Sequence, residues 1–156
     1  MAPYDESYLE DVQTEMGVLF YIACTARHDF DSPEAFACSF ADSSVAHGIE
    51  AGNVHYLAGT CGIEWYAEIV KSLGIDYTYA EMRKQRYSRD DAFWCGSVIA
   101  YYQWSRGVPF SSILTPGVLS MLFHAYGVLH EMEFVPIEAA NFLDRVLAED
   151  RKVSDE

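Results

Sequence analysis

The sequence predicts an all-α, single-domain bundle of about six to eight helices around a central hydrophobic helix at about residues 88–105. Apolar residues recur at helical spacing along most of the chain, and residues that start and stop helices separate these stretches. Alternation with a period of two is absent over any useful length. With 156 residues, 51% of them apolar, the chain has enough material for one core, so we expect a single helical domain over 1–156.

The first helix is predicted to begin at a capping box, Ser7 to Glu10, in which each side chain binds the other residue's amide. The apolar residues that follow lie on one helical face and extend to a helix end near His28. They are Leu9, Val12, Met16, Leu19, Phe20 and Ala23.

Three further helices are predicted before residue 75. Ser32 followed by Pro33 is typical of an N-cap and a first helical residue. Residues 44–51 form a short third helix. Thr60 is expected to cap a fourth, which ends at Gly74 as a C-terminal glycine.

Residues 75–88 show the least pattern and are predicted to be a basic connector, with Arg83, Lys84 and Arg86. The helix after it, at about 88–105, is apolar around its whole circumference, which is typical of a helix buried by its neighbours. Gly96 and Ser97 would allow another helix to approach this one closely.

The C-terminal part is predicted to contain two helices. One starts at Thr115–Pro116, continues to about Ala125 and ends at Tyr126–Gly127. The last covers about 133–149, and residues 153–156 are expected to be a short frayed tail.

The charge of the chain restricts its partners. Twenty-four acidic and ten basic residues give a formal net charge of −14. Such a chain would repel nucleic-acid phosphates, so we expect no direct nucleic-acid binding and instead a protein partner with a basic surface, or simply a well-solvated exterior. No stretch is long and apolar enough for a membrane span, and Arg27 is the first basic residue, so no membrane contact and a cytoplasmic location are expected. The oligomeric state stays open.

The four cysteines are separated by 14, 23 and 34 positions and form no CxxC pair. This spacing argues against a zinc ribbon and a thioredoxin-type motif. Because Cys24, Cys38 and Cys95 each follow or precede apolar residues, buried reduced thiols are the favoured interpretation of the set, which also includes Cys61.

The sequence contains no complete catalytic motif of the common classes. His130–Glu131 begins like a zincin motif, but Phe134 stands where the second histidine is needed. A composite site from His124, His130, Glu131 and Glu133 is a weak alternative to ordinary surface histidines. Sequence motifs for serine nucleophiles and phosphate-binding loops are absent, so we expect no enzyme activity, no metal and no cofactor.

Acidic residues at the N-terminus are the best candidates for partner binding. Before Arg27 the chain has five carboxylates and no basic side chain. Two of them, Asp11 and Glu15, are i, i+4 neighbours on a helix and repel each other, which a binding face for a basic partner would explain. The predicted partner-binding residues are Asp5, Glu6, Glu10, Asp11 and Glu15.

The order of motifs along the chain resembles a family of small acidic helical proteins from gut Firmicutes and Actinobacteria. The most specific motif is AYYQW at residues 100–104, followed by a short glycine loop, and the next is LHE at residues 129–131. Members of that family are often encoded beside ADP-ribosyltransferase-like proteins. The basic, tyrosine-rich connector at 75–89 departs from the family pattern.

The resemblance implies partner binding within a bacterial or mobile-element cassette, as an antitoxin-like inhibitor or accessory protein, and no catalytic residues are carried over from it. Two alternatives stay open. One is a phage-type anti-CRISPR or DNA-mimic inhibitor, whose carboxylates would occupy the basic channel of a nucleic-acid enzyme. The other is a small enzyme that uses His130 and Glu131 or a cysteine–histidine pair.

Overall fold

The computed structural model describes residues 2–27, 29–76, 89–115, 117–129 and 135–155. Within these ranges every regular element is a helix and no strand occurs, so the predicted all-α fold is confirmed. The predicted basic connector lies outside the described residues from 77 onwards.

Nine α-helices are found in the described ranges. They are α1 (Leu9–Tyr21), α2 (Pro33–Ala41), α3 (Ser44–Glu50), α4 (Val54–Leu57), α5 (Gly62–Ser72), α6 (Arg89–Arg106), α7 (Phe110–Ile113), α8 (Val118–Leu129) and α9 (Val135–Asp155). The single-turn helices α4 and α7 were not expected from the sequence.

Helix α6 is the centre of the bundle, as its all-round apolar character predicts. It packs along α1 and also contacts α7, α8 and α9. Gly96 permits the close approach to α1, because a Cβ atom at this position would lie only 2.3 Å from the backbone oxygen of Met16. The predicted contact between two helices at Gly96 is therefore present, and the helix it meets is the first one.

Helix α1 does not continue as a regular helix to residue 28. It passes into a π-helical turn, Ile22–Ala26, in which the amide of Arg27 donates to the carbonyl of Ile22 at 2.9 Å. Arg27 itself has extended backbone, so the helix ends there. His28 lies outside the described residues.

Two of the predicted helix ends are confirmed. The Ser32 hydroxyl accepts a hydrogen bond from the amide of Ala35 at 3.1 Å, with Pro33 at the first helical position. Gly74 has a φ of 73°, the left-handed conformation that glycine adopts most easily after a helix.

Two predicted N-caps in the first half of the chain are wrong. The carboxylate of Asp5, rather than Glu10, engages the Ser7 amide at 2.9 Å, and it starts a short 3₁₀ helix, Glu6–Tyr8, ahead of α1. Thr60 does not cap α5 either. Its hydroxyl donates to the carbonyl of His55, and the residue before the helix is Cys61, which makes no side-chain cap.

The C-terminal helices are longer than predicted. α8 continues through Gly127 to Leu129, because the cost of one glycine in a helix, about 1 kcal/mol, is small beside the packing of α8 on its neighbours. The predicted start of α8 at Thr115 is wrong: the helix begins at Val118 after Gly117, whose φ is 91°, and the Thr115 hydroxyl donates instead to Asp150 on α9 at 2.8 Å. α9 extends to Asp155, so the predicted frayed tail is helical as far as that residue.

Of the four cysteines, only Cys24 and Cys95 are buried. Cys38 is exposed because it lies on the outward side of α2, and Cys61 is half-buried. The prediction of four buried thiols is thus wrong for two of them. Among the helices of the described ranges, none is both long and apolar enough to cross a membrane.

Candidate acidic binding site

Of the five carboxylates that the sequence proposed for partner binding, two line one groove of the structure. Asp5, Glu6, Glu10 and Asp11 are exposed, and Glu15 is half-buried. Asp11 and Glu15 line this groove, and Asp5, Glu6 and Glu10 are not among the residues that line it. Asp5 is the N-cap of the 3₁₀ helix Glu6–Tyr8.

The groove that Asp11 and Glu15 line runs between α1 and the connection from α4 to α5. Its other walls are formed by Thr14, Leu57, Ala58 and Thr60, and its volume is about 220 Å³. A space of this size can hold one or two side chains of another protein.

A second groove, of about 210 Å³, also has Thr60 in its wall. Glu64 and Glu68 of α5 line it together with His55, Tyr56 and Trp65. Because Thr60 borders both grooves, the two form one surface. We call this surface the acidic site and define it by its four carboxylates, Asp11, Glu15, Glu64 and Glu68.

Two features hold the walls of the acidic site in place. The Thr60 hydroxyl accepts a hydrogen bond from the indole N–H of Trp65 at 2.8 Å. Thr60, which lines both grooves, is thereby fixed to a buried residue of α5. At the start of α5, a Cβ atom on Gly62 would lie 2.4 Å from the backbone oxygen of Glu15. The absence of a side chain at Gly62 therefore brings both helices, with their carboxylates, close together.

Neutral groups supply the hydrogen bonds observed in the acidic site. The Tyr56 hydroxyl donates to both carboxylate oxygens of Glu68 at 3.0 and 3.1 Å, and the Cys61 thiol donates to Glu64 at 3.3 Å. Burial and the bond to Glu68 raise the pKa of Tyr56. Of the salt bridges found in the described part of the chain, none includes a carboxylate of the acidic site.

The acidic site contains the same charge pattern twice. Asp11 and Glu15 are four residues apart on α1, and Glu64 and Glu68 are four residues apart on α5. Each like-charge pair costs a helix about 0.2–0.5 kcal/mol. The second pair was not predicted from the sequence, although its spacing is the same as that of the first pair.

The histidine-based alternatives gain no support from the described residues. His47, His55 and His124 are exposed, and no group of three or more potential metal ligands occurs in the ranges that the structure covers. His130 and Glu131, proposed for the enzyme alternative, and Glu133 lie outside the described residues. The acidic site itself can supply negative charge and hydrogen-bond acceptors.

The AYYQW motif has structural contacts. The indole N–H of Trp104 donates to the backbone oxygen of Tyr4 at 2.9 Å, and the Tyr102 hydroxyl donates to Asp144 on α9 at 2.6 Å. The motif thus joins the central helix to the N-terminal segment and to the last helix. Of the LHE motif, only the backbone of Leu129 is described, as the end of α8.

No protein-family model, curated protein or solved structure matches this chain. The resemblance based on AYYQW and LHE therefore stays a prediction.

Proposed function

We propose that this protein is a non-enzymatic binding module whose acidic site engages a basic surface of a partner protein. The observation that carries the proposal is the convergence of two like-charge carboxylate pairs, from α1 and α5, on the two grooves beside Thr60. Each pair is destabilising by itself, and a cationic group of a partner would offset the repulsion by attracting both carboxylates.

The shape of the acidic site supports a protein partner. Two adjoining grooves of about 220 and 210 Å³ suit lysine or arginine side chains that project from a folded surface. A carboxylate can accept two parallel hydrogen bonds from a guanidinium group. This geometry makes the binding of an arginine more specific than charge attraction alone. The overall charge of −14 would also accelerate encounter with a basic partner.

The biological setting is part of the same proposal. The family resemblance favours an antitoxin-like inhibitor or accessory protein of a bacterial or mobile-element cassette, acting in the cytoplasm. Binding at the acidic site would then occlude a basic active-site surface on the partner, without any chemical step in this chain.

The test compares two neutralised variants that have the same net charge. The site variant contains Asp11→Asn, Glu15→Gln, Glu64→Gln and Glu68→Gln. The control variant neutralises four exposed carboxylates elsewhere, which are Asp31, Asp42, Glu138 and Glu149. Partners are captured from the native host with the wild-type chain, and the affinity of each captured protein is then measured calorimetrically for all three forms.

We expect the site variant to bind at least about tenfold more weakly and the control variant to bind as the wild type does. Equal weakening by both variants would show that only net charge matters and would contradict the assignment of the site. If the captured protein is a nucleic-acid enzyme and duplex DNA displaces this chain from it, the DNA-mimic alternative replaces the proposal.

A further inference from the structure

A third cavity, distinct from the two grooves of the acidic site, lies at the N-terminal half of α6. Its volume is about 280 Å³, and its lining is mainly apolar. Phe93, Trp94 and Tyr126 provide three aromatic rings, while Asp90 and Ser97 provide the polar part of the wall. None of these residues borders the grooves beside Thr60.

Two of the three rings pack edge to face. The planes of Trp94 and Tyr126 meet at 68°, with their centroids 5.7 Å apart. The ring of Phe93 packs against Gly17 of α1. A Cβ atom at Gly17 would lie only 2.7 Å from this ring, so α1 fixes the position of the ring. The indole nitrogen of Trp94 is shielded from solvent, so the part of this residue that lines the cavity is ring carbon.

A carboxylate also lines this cavity. Asp90 lines the cavity and is exposed, and Asp91 follows it on α6. Both carboxylates act on Tyr126, since burial first and then their charges raise the pKa of its hydroxyl. The nearest basic residue in sequence, Arg89, places its guanidinium over the ring of Tyr21 at 5.2 Å, outside this cavity.

We propose that this cavity binds an organic cation, a guanidinium or alkylammonium group, between the faces of Phe93, Trp94 and Tyr126 with Asp90 as counter-ion. Aromatic faces attract cations through their quadrupole, and several rings with one carboxylate are the recurring way in which proteins hold a substituted ammonium or guanidinium group. The cation comes either from a side chain of another protein or from a free small molecule.

The proposal is independent of the acidic site and is tested on the full chain by NMR. The indole N–H signals of Trp65, Trp94 and Trp104 report three separate places in the fold, and loss of one signal in Trp94→Phe assigns it. N-acetylarginine amide is titrated against its neutral isostere N-acetylcitrulline amide, and tetramethylammonium against neutral tert-butanol.

We expect saturable shifts of the Trp94 signal with both cations, and at least about tenfold weaker binding of both neutral probes. Tighter binding of the arginine probe identifies a protein side chain as the source of the cation, and tighter binding of tetramethylammonium identifies a free quaternary cation. Asp90→Asn, a change at an exposed residue, should weaken both cations several-fold, whereas Asp42→Asn should not change their binding.

Equal affinity for a cation and its neutral isostere would overturn the proposal, as would the absence of a saturable Trp94 shift with either cation. Unchanged cation binding in Asp90→Asn would remove Asp90 as the counter-ion and would likewise overturn it. The neutralised variant of the acidic site should retain cation binding, so failure of the proposed partner interaction and failure of this cavity are distinguishable.

Discussion

The indole N–H of Trp104 donates a hydrogen bond to the backbone oxygen of Tyr4, 100 positions earlier in the chain, at 2.9 Å. The Tyr4 ring is buried, and Gly52 packs closely against the backbone oxygen of Pro3. The N-terminal segment is therefore part of the core, held by the end of the central helix. This contact explains why a tryptophan stands at the end of the AYYQW motif.

Replacing Trp104 with phenylalanine should release this segment. Because the Tyr4 carbonyl loses its donor, we expect the free energy of unfolding to fall by about 1 kcal/mol or somewhat more, measured by urea denaturation. Hydrogen exchange should also become faster at the amides of residues 4–9.

The matched control for this change is Trp94→Phe. Trp94 is also partly buried, but its indole nitrogen has no hydrogen-bond partner among the residues that the structure describes. The control therefore removes ring area without breaking a hydrogen bond, and exchange at residues 4–9 should stay as in the wild type. Equal effects of both changes on exchange would show that ring area, rather than the bond to Tyr4, holds the segment.

Much of the fold could be predicted from the sequence. The residues that start and end helices, and the helical spacing of apolar residues, are local properties of the chain. The apolar circumference of α6 indicated its central position, and Ser32 with Pro33 marked the start of α2 correctly. The predictions failed where a side chain had a competing partner. Thr60 looked like a cap, but its hydroxyl donates to the His55 carbonyl and accepts from the Trp65 indole, each five positions away, and helix-capping patterns do not indicate these contacts.

The candidate site was only half predictable for a related reason. Asp11 and Glu15 are conspicuous in a segment without basic residues, whereas Glu64 and Glu68 precede Lys71 and look like an ordinary solvated face. What joins the two pairs is the close approach of Gly62 to the Glu15 backbone. Sequence spacing within one helix contains no information about that contact between two helices.

The contact between α1 and α6 predicts that Gly96→Ala is destabilising. In an exposed helix this change would add stability, up to about 1 kcal/mol, because alanine is the better helix former. Here the new methyl group would meet the Met16 carbonyl at 2.3 Å, so one helix must move. We expect a loss of about 2 kcal/mol or more in urea denaturation, and a gain would contradict the central packing.

The ion pair between Arg106 and Asp144 predicts a loss of stability in acid. The two side chains join α6 to α9 at 2.8 Å, and Tyr102 donates to the same carboxylate. The hydrogen bond from Arg106, followed by that from Tyr102, lowers the pKa of Asp144. Because the unfolded chain takes up this proton more readily, the pair stabilises the fold above about pH 3.9, and its contribution disappears as the pH falls through the lower folded pKa.

Asp144→Asn should therefore reduce stability at neutral pH and have little effect in acid. The carboxylate is 44% exposed, so we expect less than about 1 kcal/mol at neutral pH. Glu149→Gln is the control, since the pair of Glu149 with Lys152 is long, at 3.5 Å, and more exposed. A difference between wild type and Asp144→Asn that does not change with pH would contradict the ionic interpretation.

The four thiols should differ strongly in their reaction with a thiol reagent at neutral pH. Cys38 is exposed and should react first, and Cys61 should follow more slowly because it is half-buried and donates to Glu64. Cys24 and Cys95 should react only when the chain unfolds, because both are buried and burial raises the pKa of each thiol. Cys38→Ser should remove the fast phase alone. Rapid reaction of four thiols in the folded chain would show that the interface of the π-helical turn with α6 opens readily, contrary to the close packing described for the centre of the bundle.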